Sequence, residues 1–401
     1  MAKESALQLP EFRALALAGL LSAAGDQLAR VAVSVLVYNR TSSAFLTGLT
    51  YALTFLPAVI GGPLLSGLAD RRPRRQVMIA LDLIRAGLVG AMALPSLPLG
   101  ALLALLVAVN VLESPFDAAR AALVPDVSGD LYFAALVVDR TLQQTAQVLG
   151  FGGSGLLLLV VSPTTALLAD AASFLASAAL LRRRVILRPA AARPEARSGR
   201  VNWLFRARRA GADASLGLRV IWSDLHVRRV VLLTWLVSAF AIVPEGLAAP
   251  YARQLGGSSA LVALLLAANP IGNVLSGVPA RWIRGRHDRL LPPLAQLVVL
   301  PLAACVLDPP APIVLGLIVL SGMGMTVSLL ARTIFVASVD AEVRGRAFAV
   351  AGTGLVVGQG LAVALAGAAA SVCAPSTVVG CAGLLGSAAT LLLLAATRPR
   401  G

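Results

Sequence analysis

The chain has 401 residues, a mean hydropathy of +0.84 and 13% charged residues, against about 25% charged residues in ordinary soluble domains. Leu, Ala and Val fill long runs that recur along almost the whole sequence. That pattern excludes a soluble domain or a single anchor and implies a polytopic helical membrane protein. The net charge of +15 does not argue for nucleic acid, because basic residues flanking lipid-facing spans meet an anionic inner leaflet.

Breaks at charged, Pro and Gly positions predict twelve spans: 13–38, 44–67, 76–95, 99–121, 136–161, 163–181, 229–249, 257–280, 289–306, 311–333, 346–371 and 376–396. Their length and lack of strict alternation favour helices over a barrel. The first run is too long for a secretory h-region and holds Asp26 and Arg30 in its interior, so it reads as a retained span. The expected fold class is an all-α membrane protein of twelve transmembrane helices in two six-helix pseudo-symmetric bundles. The expected domains are a first bundle at 1–181, a basic linker at 182–228 and a second bundle at 229–401.

Arginines set the orientation. Arg71, Arg72, Arg74 and Arg75, the 182–229 stretch, Arg281, Arg284, Arg286 and Arg289, and Arg344 with Arg346 fall in alternate loops, together with Lys3, Arg398 and Arg400. The opposite loops hold only Arg40 and Arg253. Lys and Arg are retained on the cytoplasmic side during insertion, so both termini are expected in the cytoplasm, in a multi-pass protein of the cytoplasmic membrane. The 182–229 stretch carries thirteen arginines, begins "RRRVILRPAAARPEARSGR" and continues through "LGLRVIWSDLHVRR". It reads as an unfolded linker followed by a short interfacial helix.

Ionisable residues within spans are costly there and mark cavities or partners. In span one Ser22, Asp26 and Arg30 follow at helical spacing. Span four carries Asn110, Glu113, Asp117 and Arg120, within an arc of about 80° at a helical period, with Pro115 able to bend the helix. Span five presents Arg140, Gln143, Gln144 and Gln147. Together these stripes predict a water-accessible cavity lined by Asp26, Arg30, Asn110, Glu113, Asp117, Gln143 and Gln147. Asp26 paired with Arg30, and Asp117 with Arg120, is the competing structural reading. Asp26 and Glu113 are the candidate proton carriers, because burial favours the uncharged form of a carboxyl.

In the second half Glu245 follows Pro244 near the outer end of span seven, where it is expected to line the cavity mouth or to reach the interface; Asn269, Asn273 and Ser276 line span eight. "SGMGMTVS" brings Met323, Met325 and Thr326 into span ten, which suits either core packing or a tolerant pocket. Lys3 is the sole lysine, which excludes a Walker A motor. Two isolated histidines and three scattered cysteines give no HExxH or CxxC pattern, so no metal, cofactor or enzyme activity is expected.

Offsets of 210 residues between "GLADRRPRRQ" and "GVPARWIRGR", and of 208 between "VLGFG" and "VVGQG", suggest duplicated halves. The spans, the basic central loop and Gly67, Asp70, Arg71, Arg74 and Arg75 after span two resemble the major facilitator superfamily, with Pro73 where that motif usually has Gly. "LDLIRAG", "ALVPD", "LADAASFLASAALL" and "RGRAF" resemble its macrolide-efflux and siderophore-exporter branch. The resemblance implies a cytoplasmic gate in which Asp70 pairs with Arg120. It also implies an antiporter motif in span five, where Gly150, Gly152, Gly153 and Gly155 stand without the usual Pro.

The expected function is proton-coupled efflux of a small amphipathic drug or secreted metabolite by alternating access. Expected partners are the solute, protons and membrane lipids, with no nucleic acid, around a monomer. The alternatives are a lipid flippase or gradient-driven facilitator on the same fold, and a transport-inactive sensor or scaffold. Acids in the cavity favour a cation as solute, whereas Arg30 and Arg140 favour an anion.

Overall fold

The computed structural model describes residues 6–55, 72–189, 214–276 and 287–396. Among the described residues all regular elements are helical, and eight helices are long and apolar enough to cross a membrane. Residues 190–213 of the basic linker, Arg281, Arg284 and Arg286, and the motif positions Gly67, Asp70 and Arg71 lie outside the described residues.

The described chain divides into two units. The first joins residues 6–39 to 72–189 and contains most of α1 (Pro10–Thr41), then α3 (Arg74–Met92), α4 (Leu99–Ser128), α5 (Tyr132–Val160) and α6 (Pro163–Arg184). The second takes α2 (Ala44–Ala52) together with everything from residue 214 onward. Its longer helices are α7 (Leu225–Ala241), α8 (Ser259–Leu275), α9 (His287–Ala303), α10 (Ala311–Gly324), α11 (Thr326–Ser338), α12 (Ala341–Ala369) and α13 (Pro375–Ala396).

Local chemistry sets the helix ends. The Ser43 hydroxyl accepts from the Leu46 amide at 3.2 Å to start α2, and Ser162 does the same for Thr165 ahead of Pro163 in α6. Asp224 accepts from the His226 and Val227 amides at 2.7 and 3.2 Å, separating α7 from a helical stretch at 214–223. These are N-caps that satisfy amides with no partner inside the helix. Gly129, at φ +50°, ends α4 in a backbone region that favours glycine. Pro115 and Pro125 are accommodated inside α4, which stays helical through both. The apolar stretch of span ten changes helix at Met325, between α10 and α11.

Each unit has its own core. Phe12, Leu15, Met78, Leu81, Phe116, Leu123 and Leu181 close the first; Val230, Leu233, Val237, Leu291, Val298 and Leu330 close the second. Large apolar side chains also face outward, among them Leu83, Ile84, Leu168, Leu175, Leu300 and Leu392. Such a coat suits hydrocarbon as its solvent.

Without a hydrophobic drive between helices in lipid, close packing of small residues holds spans together. A Cβ placed on Gly272 of α8 would lie 2.0 Å from the Val319 carbonyl oxygen of α10, while one on Gly90 of α3 would meet nothing within 4 Å. The same substitution is therefore expected to act with opposite sign at the two positions. Gly272→Ala should lower stability by about 1–3 kcal/mol through overpacking, and Gly90→Ala should be neutral or raise it by roughly 0.5–1 kcal/mol. Thermal unfolding of the two purified variants checks this; equal effects would contradict the α8–α10 packing.

Candidate functional site

The polar residues of the first unit converge. Ser22, Asp26, Arg85, Glu113, Asp117, Arg120, Gln143 and Gln147 share the lining of one cavity of about 150 Å³. Of the predicted cavity residues this includes Asp26, Glu113, Asp117, Gln143 and Gln147. Arg30 reaches the cluster from the side, its guanidinium 3.8 Å from Glu113. Asn110 does not line the cavity: it is buried, and its amide donates to the Leu106 carbonyl of its own helix at 2.8 Å.

The pairings differ from those that helical spacing suggests. Asp26 does not take Arg30; it receives two hydrogen bonds, 2.6 and 2.8 Å, from Arg85 of α3. Arg120 does not take Asp117; its terminal nitrogen bonds Asp139 of α5, whose other oxygen accepts from Gln143 at 3.4 Å. A residue one turn away lies on the same face, but the charge-assisted hydrogen bonds here form across a helix interface, each made by one terminal nitrogen of a neighbouring helix's guanidinium. Asp70 lies outside the described residues, so the expected Asp70–Arg120 gate is not among the observed contacts.

Arg85 is the hub. It is 1% exposed, holds its guanidinium carbon over the Phe174 ring at 4.2 Å from the centre, and reaches the Ser22 hydroxyl at 3.4 Å. Beside it, Asp82 accepts from Ser177 at 2.6 Å and Asp170 from Ser173 at 3.2 Å. One oxygen of each carboxyl, Asp82 Oδ1 and Asp170 Oδ2, has no partner. Two glycines of α1 make room: a Cβ on Gly25 would strike Asp170 at 2.2 Å, and one on Gly19 would strike the Arg120 guanidinium at 2.6 Å.

Asp82, Arg85 and Asp170 were not among the residues that the stripes of spans one, four and five select. They lie in "LDLIRAG" and "LADAASFLASAALL", which carry the family resemblance, and each is an ionisable group inside an apolar run. That signal alone is sufficient to single them out.

Two of the motif arginines, Arg74 and Arg75, have definite partners as well. Arg74 donates to Asp126 at 2.5 Å and to the Ala122 carbonyl at 2.7 Å, which joins the basic loop to "ALVPD" at the end of α4. Arg75 donates to the Arg182 carbonyl, and Arg188 is paired with Glu11. In span five Gly150 has a packing role: a Cβ there would meet the Ala24 carbonyl at 2.9 Å.

Glu245 belongs to the second unit, is not among the residues lining the polar cavity, and accepts from Tyr51 of α2 at 2.7 Å. The second unit holds its own cavity, of about 310 Å³, which is apolar and aromatic. Among the described residues no group of three or more His, Cys, Asp or Glu side chains is placed to hold a metal ion.

The fold is similar to those of solved transporters. The nucleoside transporter NupG matches with a TM-score of 0.71 at 12% identity, over 96% of this chain and 98% of its own. A POT family transporter in complex with 5-aminolevulinic acid matches at 0.72 and 10%, over 98% and 99%. The peptide transporter POT in complex with sulfate matches at 0.71 and 13%, over 98% and 97%. No curated protein matches the sequence. The family model described as Major Facilitator Superfamily matches residues 15–244, more than half of the chain. The chain belongs to the major facilitator superfamily: it is a multi-pass membrane transporter with a family and fold that are not those of enzymes.

Proposed function

We propose that this transporter exports a small amphipathic drug or secreted metabolite across the cytoplasmic membrane in exchange for protons. It does so by alternating access of twelve spans in two bundles, as a monomer with both termini in the cytoplasm. The observation that supports coupling is the charge imbalance around the polar cavity. Asp26, Asp82, Glu113, Asp117, Asp139 and Asp170 stand against Arg30, Arg85 and Arg120 among the described side chains, six acids against three bases.

An isolated carboxylate away from water is too costly to persist, and the ways out are a cation, a proton or hydration. Guanidiniums cannot serve every carboxyl here. A proton arriving at one carboxyl frees its arginine for another, so protonation can be exchanged for a rearranged set of ion pairs. That is the physical requirement for coupling a proton to a conformational change. Asp26 and Glu113 are the carriers in this reading, since each lines the cavity and each has an arginine to release. Asp82 and Asp170, packed beside Arg85, provide the alternative acceptors for its charge.

In proteoliposomes with an internal pH indicator, adding a transported compound should move protons through the wild-type protein. Asp26→Asn and Glu113→Gln should each abolish that linked movement while leaving insertion intact; unchanged proton movement in both would overturn the coupling. The assigned orientation has its own check. With the native cysteines replaced, Ala190→Cys should react with an impermeant maleimide in everted vesicles only, and reaction in intact cells would reverse the topology.

A further inference from the structure

The cavity of the second unit lies between α7, α11 and α12, and its wall includes Trp235, Phe335, Phe348 and Leu355. Its volume of about 310 Å³ falls at the lower end of the roughly 300–1,000 Å³ typical of small-molecule pockets. Aromatic packing shapes the wall. Trp235 donates its indole N–H to the Ala351 carbonyl at 2.7 Å, so its polar atom is satisfied and its ring is left as apolar surface. Gly354 admits that ring, because a Cβ there would lie 2.1 Å from it. Phe335 and Phe348 meet with ring centres 4.5 Å apart.

One charge stands in this wall. Arg332, within the apolar stretch Ala311–Ser338, is exposed and holds its guanidinium 5.6 Å from the Phe348 ring centre. Among the described residues no carboxylate forms an ion pair with it, whereas Arg30, Arg74, Arg85, Arg120 and Arg188 each have one. A guanidinium in an apolar span is costly, and a cavity with an anionic occupant relieves that cost. The remaining polar side chains are Ser328 and Thr234, the latter turning its hydroxyl to the Val230 carbonyl at 2.8 Å. An aromatic slot with a lone cation at its wall complements an apolar ring system bearing a single negative group.

From these features we infer that the second unit carries a solute site for amphipathic organic anions, with Arg332 binding the anionic group and Trp235, Phe335 and Phe348 holding the apolar body. The inference rests on the reading of this protein as a transporter of small amphipathic compounds and names the charge of the solute. An anionic phospholipid shares that chemistry, and the assay separates the two sources.

The full chain is placed in phosphatidylcholine nanodiscs, and binding of naphthylacetate, naphthylethylamine and naphthylethanol is measured by equilibrium dialysis, with empty nanodiscs subtracted. Naphthylacetate should bind saturably and about tenfold or more tighter than the amine or the alcohol, the loss expected for one charge-assisted hydrogen bond. Arg332→Gln should remove that preference, and Arg332→Lys should keep part of it. Gly352 also lines the cavity and has nothing within 4 Å of a Cβ position, so Gly352→Leu fills the space without a backbone clash and should abolish binding.

Absence of saturable binding, or an amine or alcohol that binds as tightly as the acid, would overturn the site. So would wild-type binding by Gly352→Leu, or by Arg332→Gln. If Arg332→Gln does not fold, the ligand preference of the wild-type protein and the Gly352→Leu result still decide. Displacement of naphthylacetate when phosphatidylglycerol is included would assign the pocket to lipid and overturn the solute site. The assay uses no gradient: binding without proton movement refutes antiport alone, and proton-coupled transport without naphthylacetate binding refutes this site alone.

Discussion

The first unit is organised by a single buried guanidinium. Arg85 is 1% exposed, grips Asp26 with two short hydrogen bonds and holds its guanidinium carbon 4.2 Å from the centre of the Phe174 ring. In hydrocarbon such a group is tolerable only where aromatic faces and carboxylates replace its water. That requirement brings three helices to one point: α1 supplies Asp26, α3 the arginine and α6 the phenylalanine. The glycine at position 25, which leaves room for Asp170, follows from the same demand. Removing one partner of such a cluster is far more costly than the pair is worth when intact, because the other charge is left stranded.

The two units solve different problems with the same apolar composition. The first surrounds a small polar cavity with acids and arginines; the second surrounds a larger cavity with rings and one arginine. In the reading offered above, the first supplies the exchange of protons and ion pairs and the second supplies contact with the solute. The division is economical in physical terms. Moving a proton among charges needs short polar distances, whereas holding an amphipathic body needs apolar area and few polar groups. Small-residue contacts such as Gly272 against Val319 bring α8 and α10 together without adding polar atoms to the lipid face.

Much of this was legible from composition and spacing. Long apolar runs interrupted by arginines imply a membrane protein of many helices, and polar stripes on spans one, four and five point to a common cavity, where Asp26, Glu113, Asp117, Gln143 and Gln147 do meet. Partners were not legible. Helical periodicity compares a residue only with its own helix, so it offers Arg30 to Asp26 and Asp117 to Arg120. The real partners, Arg85 and Asp139, sit on neighbouring helices, at sequence separations that spacing cannot rank. Asn110 shows the converse failure: its position on the polar stripe is correct, but its amide is taken by the backbone one turn back. The apolar cavity of the second unit was illegible for a simpler reason, since no spacing or motif marks Trp235, Phe335 and Phe348, which meet only once the helices are placed.

The measurement that bears most directly on this account is a double-mutant cycle on Arg85 and Asp26, read by thermal unfolding of the purified protein. If the guanidinium is the hub, Arg85→Gln alone should be strongly destabilising, by about 3–5 kcal/mol, and Asp26→Asn in the same chain should restore a large part of the loss. Independent, additive effects of the two substitutions, or an Arg85→Gln variant as stable as the wild type, would contradict it.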